Sequence, residues 1–449
     1  MKSLQVPFGF YPDVVGGTEI YVAALAAALS RLGHPATIAA PGPRDDAYFH
    51  GSQAVRRFAV SEHVGDVAEL YDLGDADAAE RFGFLLDRER PDVVHLHAFT
   101  RSCSVRLVRA ARDRQIPVVF TYHTPTVSCV RGTLMLWGSE PCDGAMAVDR
   151  CASCALEGRG VPKSFAQILG RLPAIDLEWS ASLKGKWSTA LKFSALVANR
   201  HEATRTLFAE VDRIVALRDW ISDLLIANGV PAGKIVQSRH ALCHEFTRPT
   251  RHGHSPGPIR LAFMGRLDPT KGADILIAAV KQIPASHLTL DLYCAVQAES
   301  NRRELARLKQ MAGDDPRIKF HPALDSARVV ETLARFGALV VPSQWLETGP
   351  LVILEAFAAG TPVLGSALGG IAELITDGVN GLLVRDYRSP AAWAAALKRL
   401  ASDFTLLKTL ESHVVAPRGM GDVAAEMIGL YAALAPTSSR TTPTISSVA

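Results

Sequence analysis

The sequence predicts an α/β protein of two Rossmann-like domains in tandem, each a doubly wound parallel sheet, with the strand ends of the two sheets facing across a cleft. Three observations predict it. From Leu4 onward short apolar runs alternate with Gly/Pro/polar turns and stretches of helical periodicity, the pattern of parallel α/β architecture. Around Glu245 to Pro258 the chain turns polar and breaker-rich, and the alternation restarts at Ile259 to Met264, as expected across an inter-domain linker. The 449 residues, at roughly 150 per domain, favour two or three domains, and large α/β domains pull that number to two.

In order, the candidate strands of the first half are Ser3 to Phe8, Ala36 to Ala40, Asp92 to His95, Val118 to Tyr122 and Arg213 to Leu217, with helices over Ile20 to Leu32 and Ser104 to Arg114. The second half offers strands near Thr289 to Tyr293, Ile318 to Phe320, Ala338 to Val341, Pro362 to Gly365 and Gly381 to Val384. The expected partition is residues 1–245 with a cysteine-rich and helical insertion at 124–210, then residues 258–415, a helix at 416–435 packing back on the first domain, and a Ser/Thr/Pro-rich disordered tail at 436–449. Sheets of this type bind ligands beyond the carboxyl ends of their strands, so two that face each other make a cleft.

Composition narrows the function. A net charge of +3, from 48 basic and 45 acidic residues, gives nucleic-acid binding no support. Met1 to Val15 lack a basic start followed by a long apolar core, and no apolar run approaches a bilayer span. The reading is a cytoplasmic protein. Seven cysteines are too few for a disulfide scaffold, yet four crowd together as Cys129-x12-Cys142-x8-Cys151-x2-Cys154. That set suits a structural zinc stapling a loop poor in apolar residues; reduced thiols, disulfides or an iron–sulfur cluster are the alternatives. Between Gly158 and Arg205, eight basic residues (Arg159, Lys163, Arg171, Lys184, Lys186, Lys192, Arg200, Arg205) meet three acidic ones, with Trp179 and Trp187 interleaved. Such a surface suits peripheral contact with anionic lipid or a lipid-diphosphate acceptor; the alternative is a solvated helical face.

The segment from Pro342 to Gly370 carries the most chemistry. Gly349-Pro350 follows Glu347-Thr348, and Pro350 suits the first turn of a helix over Leu351 to Ala359, with Thr348 or Gly349 as its cap. A helix N-terminus beside glycine offers free N–H groups to an oxygen-rich ligand, and paired carboxylates accept from vicinal sugar hydroxyls. In LAFMGRLDPTKGADILI, Arg266 and Lys271 flank a loop after a strand, where two cations neutralise a diphosphate without a metal ion. In PDVVGGTE, Gly16 and Gly17 let the backbone approach a ligand, Thr18 is the candidate helix cap and Glu19 supports the helix terminus. His123 ends the strand Val118 to Tyr122 and points into the expected cleft.

Together these motifs resemble retaining glycosyltransferases of family 4. The carboxylates Glu347-x7-Glu355 within PSxxxExxPLxxLEAxAxGTPV resemble that family's E-x7-E motif, GRLxxxKG its phosphate loop, and Gly16-Gly17 with Glu19 its GGxE motif. The resemblance implies a GT-B fold and a nucleotide-sugar donor, UDP- or GDP-linked. It implies that Glu355 binds ribose, Glu347 and His123 serve the reacting sugar, and Arg266 and Lys271 hold pyrophosphate. Gly349, Pro350 and Leu351 complete the donor loop, and Gly369-Gly370 resemble the family's next loop. No cofactor is required for catalysis on this reading, and the acceptor is a glycan, a lipid-linked sugar or a small molecule. The family's usual Gly-Phe-Gly after the first glutamate is replaced by Thr348-Gly349. A nucleotide-sugar epimerase of the same tandem fold, or a non-catalytic sugar-nucleotide or zinc-dependent interaction protein, are the competing readings. A nicotinamide dehydrogenase is disfavoured because no G-x-G-x-x-G opens a helix after the first strand.

Overall fold

The computed structural model describes residues 1–434 apart from 14–15, 62–63, 65–66, 173–185, 247–248, 250–256 and 285–286, and apart from the side chains of 186–188. The expected tail, most of the linker, Trp179, Lys184 and the side chains of Lys186 and Trp187 lie outside the described residues.

The first sheet contains β1 (Ser3–Val6), β2 (Ala36–Gly42), β3 (Asp46–His50), β4 (Gln53–Ala59), β5 (Val93–Leu96) and β6 (Val118–Tyr122). A small hairpin, β7 (Met135–Leu136) with β8 (Glu140–Pro141), precedes its last strands, β9 (Arg213–Ala216) and β10 (Ile235–Gln237). The order across the sheet is β10-β9-β6-β5-β1-β2-β4-β3, parallel except where β3 runs against β4. The second sheet contains β11 (Ile259–Arg266), β12 (Leu288–Ala295), β13 (Ile318–Pro322), β14 (Ala338–Val341), β15 (Val363–Ser366) and β16 (Gly381–Val384). Its order is β13-β12-β11-β14-β15-β16, parallel throughout. The inner strands β1, β2, β5, β6, β14 and β15 are buried along their whole length, because helices cover both faces of a parallel sheet.

Strand order reverses between β1 and β5 in one sheet and between β11 and β14 in the other. Crevices open at such reversals, beyond the carboxyl ends of the strands. The loops leaving β1 and β6 therefore face those leaving β11 and β14, and these loops carry the residues selected from the sequence.

The helix Met420–Leu434 returns to the first domain, where Met420, Val423, Met427 and Tyr431 share a buried apolar cluster with Tyr21, Val22, Leu25 and Leu29 of the helix Gly17–Arg31. The two inter-domain crossings run side by side, Leu242 N donating to Arg418 O at 3.0 Å.

The insertion holds the helices Val148–Glu157, Lys163–Gly170 and Lys186–Glu210. They enclose a core of their own from Ala152, Ala155, Leu156, Ala166, Phe193, Leu196 and Val197. This corrects the expectation of a loop too poor in apolar residues to pack. Cys142 faces Asp143, Cys151 the Ala145 carbonyl, and Cys154 the Met135 carbonyl while accepting from Trp137 N at 3.2 Å; Cys129 and Cys142 lie near enough to Cys151 to oppose its ionisation, after burial. All are free thiols, and among the described residues no three His, Cys, Asp or Glu side chains form a metal-holding group.

In the basic stretch Lys192 is buried and Arg200 half-buried, while Arg159, Lys163, Arg171 and Arg205 are exposed. Arg159 lies over the Phe193 ring, Lys163 over Trp137 and Arg200 over Phe99, and Arg205 donates to Met146 O. Among the described residues no helix is long and apolar enough to cross a membrane.

Candidate active site

Glu347 leaves β14 on a loop that folds back on itself, and its side chain is buried. Lys271 Nζ donates to Glu347 Oε1 at 2.8 Å, and Ser343 Oγ donates to the same oxygen. A buried carboxylate needs such partners, and the cation and hydroxyl supply them. Lys271 also lies 5.4 Å from the centroid of the Trp345 ring. It closes a short turn over Pro269–Lys271, after which Gly272, at φ 69°, opens the helix Ala273–Val280. A Cβ at Gly272 would stand 2.0 Å from the Pro342 carbonyl oxygen. Only glycine lets the loops after β11 and β14 approach this closely, and Gln344 N donates to Thr270 O at 2.7 Å between them.

The loop continues through Thr348 and Gly349 (φ 147°) to the helix Leu351–Ala358, which Pro350 rather than Thr348 or Gly349 caps. Gly369-Gly370 opens the next helix, and Gly370 N donates to Glu347 O at 2.7 Å. The Glu355 side chain makes no hydrogen bond or ion pair among the described residues, and burial raises its carboxyl to about 7. Burial, and then the Glu355 carboxylate, push the neighbouring Cys243 thiol up to about 12. Arg266 is exposed at the end of β11, with no ion pair among the described residues.

Across the cleft, Gly16 caps the helix Gly17–Arg31, and Glu19, not Thr18, completes the turn by accepting from Gly16 N at 2.8 Å. A Cβ at Gly17 would lie 3.7 Å from Leu351 Cδ1, so the two glycine-bearing loops face each other in van der Waals range. Thr348 Oγ1 donates to the His123 carbonyl at 2.7 Å, and Arg218 Nε donates to the Thr348 carbonyl at 3.1 Å. The structure thus brings Gly17, His123, Lys271, Glu347, Gly349 and Leu351 into one cleft. Glu355 stands on the helix behind the donor loop, and Arg266 at the rim.

His123 belongs to a buried polar chain that the sequence reading missed. His123 Nε2 and His97 Nδ1 are 3.0 Å apart, and His97 Nε2 lies 2.8 Å from Gln5 Oε1. Gln5 Nε2 donates to Ser3 Oγ at 3.0 Å and Tyr431 OH at 3.3 Å; Tyr431 OH lies 2.6 Å from His95 Nδ1, and His95 Nε2 lies 2.7 Å from Thr121 Oγ1. Burial lowers His95 and His123 to about 3, and His97 well below the ordinary range. Tyr21 packs edge-on to His123 with ring centroids 4.9 Å apart, and the buried Tyr21 OH and His240 Nδ1 lack hydrogen-bond partners among the described residues. Arg218 is buried beside Gly349, which depresses its guanidinium to about 10. The visible signals were His95-x-His97 ending an apolar strand and a lone arginine after β9.

Two facing doubly wound sheets with carboxylate, cation and glycine loops at their strand ends define a GT-B glycosyltransferase. Residues 246–412 match the model of the family "Glycosyl transferases group 1", and residues 15–168 match "Glycosyltransferase Family 4". The chain belongs to the family-4 type of GT-B glycosyltransferases. It is 28% identical over 348 residues to a D-inositol 3-phosphate glycosyltransferase of Xylanimonas cellulosilytica, covering 76% of this chain and 72% of that one. It is 33% identical over 170 residues to the enzyme of the same name from Nocardia farcinica, covering 36% and 37%. In fold it resembles sucrose-phosphate synthase from Thermosynechococcus elongatus (TM-score 0.65, 19% identity, 97% and 99% covered). It likewise resembles Anabaena Alr3699/HepE in complex with UDP and glucose (TM-score 0.62, 17% identity, 96% and 99% covered).

Proposed function

We propose that this glycosyltransferase moves a hexosyl group from a UDP- or GDP-linked sugar to a hydroxyl of a small-molecule or glycan acceptor, with retention and without a metal ion. The observation that carries the reading is the Lys271–Glu347 pair at 2.8 Å, held where the loops of β11 and β14 meet. A cation bonded to the carboxylate that serves the sugar also reaches the diphosphate, so one lysine spans the bond that breaks. Arg266 adds the second cation, Glu355 accepts from ribose, and the loop at Gly16-Gly17 closes over the donor. His123 and Glu347 position the sugar. In the step, the acceptor oxygen bonds to the anomeric carbon on the face the diphosphate leaves, the carbon–oxygen bond to the β-phosphate breaks, and the acceptor proton passes to a diphosphate oxygen. The relatives' names make an inositol phosphate a sensible first acceptor.

A thermal-shift panel of sugar nucleotides tests the donor. One compound should raise the melting temperature of the wild type, because ligands that bind only the folded state stabilise it, and should fail with Lys271→Met. A protein that responds to no sugar nucleotide contradicts the reading.

A further inference from the structure

We propose that Gln5, acting through His97, fixes His123 as the Nε2–H tautomer and leaves Nδ1 as a hydrogen-bond acceptor for a hydroxyl of the bound sugar. This rests on the function proposed above. The argument is one of proton counting. Burial keeps His95, His97 and His123 neutral, so each ring has one N–H and one lone pair. An amide oxygen only accepts, so at the 2.8 Å contact with Gln5 Oε1 the proton sits on His97 Nε2. His97 Nδ1 then carries a lone pair, and the 3.0 Å contact with it requires a proton on His123 Nε2. His123 Nδ1 is the ring nitrogen left over, with no hydrogen bond among the described residues, and it can only accept.

The orientation of Gln5 sets this order. Its amide nitrogen donates to Ser3 Oγ and Tyr431 OH. Tyr431 in turn gives its proton to His95 Nδ1, which leaves His95 Nε2–H to donate to Thr121 Oγ1. Every buried group in the chain is satisfied by this arrangement, as a polar network in a low-dielectric interior requires. Tyr431 sits on the helix that returns from the donor domain, so the end of the chain helps to set the proton on a residue of the cleft. Gln5, His97 and Tyr431 are positioning residues in this account.

The test is a long-range proton–nitrogen correlation spectrum of the full chain labelled with nitrogen-15 histidine, with His123→Gln identifying the signal. The wild type should show His123 protonated on Nε2. Gln5→Met, which removes the acceptor, should give His123 a mixed or Nδ1–H tautomer, and kcat should fall about tenfold while the donor KM stays within about twofold. Gln5→Glu keeps an oxygen toward His97 and should restore both the signature and most of kcat. An Nδ1–H signal for His123 in the wild type overturns the proposal, as does a folded Gln5→Met with unchanged tautomer and kcat. If no sugar nucleotide supports transfer, the proposed function fails while the wild-type spectrum still decides the relay.

Discussion

Thr348 Oγ1 donates to the backbone carbonyl of His123 at 2.7 Å, which joins the loop after β14 in the second domain to the end of a central strand of the first. Arg218 grips the next link by donating to the Thr348 carbonyl. Thr348 stands where the family pattern has glycine, and its hydroxyl is what permits the bond. Thr348→Val keeps the shape and removes the donor. It should cost about 1 kcal/mol of stability, a typical net hydrogen-bond contribution, and raise the donor KM several-fold. Denaturant midpoints and steady-state kinetics check both; unchanged kinetics would show that the link plays no part in donor binding.

Removing the partner of a buried carboxylate costs more than removing an exposed one. Lys271→Met leaves Glu347 buried with only Ser343, so stability should fall by about 1–3 kcal/mol and transfer should be lost. Glu347→Gln retains a hydrogen-bonding oxygen for Lys271. It should leave stability within about 1 kcal/mol of the wild type yet lower kcat by roughly a hundredfold or more. Equal stability losses in the two variants would contradict this division between folding and chemistry.

Gly272 tests how closely the loops must meet. A methyl group there faces the Pro342 carbonyl at 2.0 Å and also requires φ 69° of a residue with a side chain. Gly272→Ala should destabilise by about 1–3 kcal/mol and abolish the sugar-nucleotide response. A variant that binds donor as the wild type does would show that the loops can separate without loss.

Glu355 and the buried histidines give pH effects of opposite sign. Burial raises Glu355 to about 7, above its ordinary value of 4.5, so the folded state holds its proton more tightly. That contribution to stability is present at low pH and is lost as pH rises from about 4.5 to about 7. Ribose requires the carboxylate, so donor affinity should increase as pH rises through 7, and Glu355→Gln should flatten the curve. His95 and His123 are lowered to about 3; the unfolded chain binds the extra protons, and their stabilising contribution is present above about 6.5 and lost as pH falls toward 3. The limiting slope is about 1.4 kcal/mol per group per pH unit. Urea midpoints at a series of pH values should fall from neutral to pH 5, less steeply in His123→Gln.

What could be read from the chain was local. The strand–turn–helix rhythm gave the two sheets, and the spacing of Glu347, Gly349, Pro350 and Glu355 marked the loop after β14 and its helix because one turn and one helix hold them. The antiparallel β3–β4 hairpin was missed since Asp46–His50 is a largely exposed strand at the sheet edge, whose short Ala47-Tyr48-Phe49 run has a polar residue at each end. Contacts between distant residues were not legible. Gln5 meets Tyr431 across 426 positions, His123 meets Thr348 across 225, and Lys271 meets Glu347 across 76. For the same reason the cysteine spacing could not say where each thiol points. Cys151 and Cys154 share a helix, but where a thiol points depends on the hairpin and helices packed around it, and Cys154 turns to Met135.

The most direct measurement is nuclear magnetic resonance of the product formed from the sugar nucleotide that the thermal-shift panel selects, with inositol phosphate and glycan acceptors. The account predicts release of the nucleoside diphosphate and a new glycosidic bond with the anomeric configuration of the donor, both abolished by Glu347→Gln. Clean epimerisation of the sugar nucleotide without acceptor, or a glycoside of inverted configuration, would contradict it.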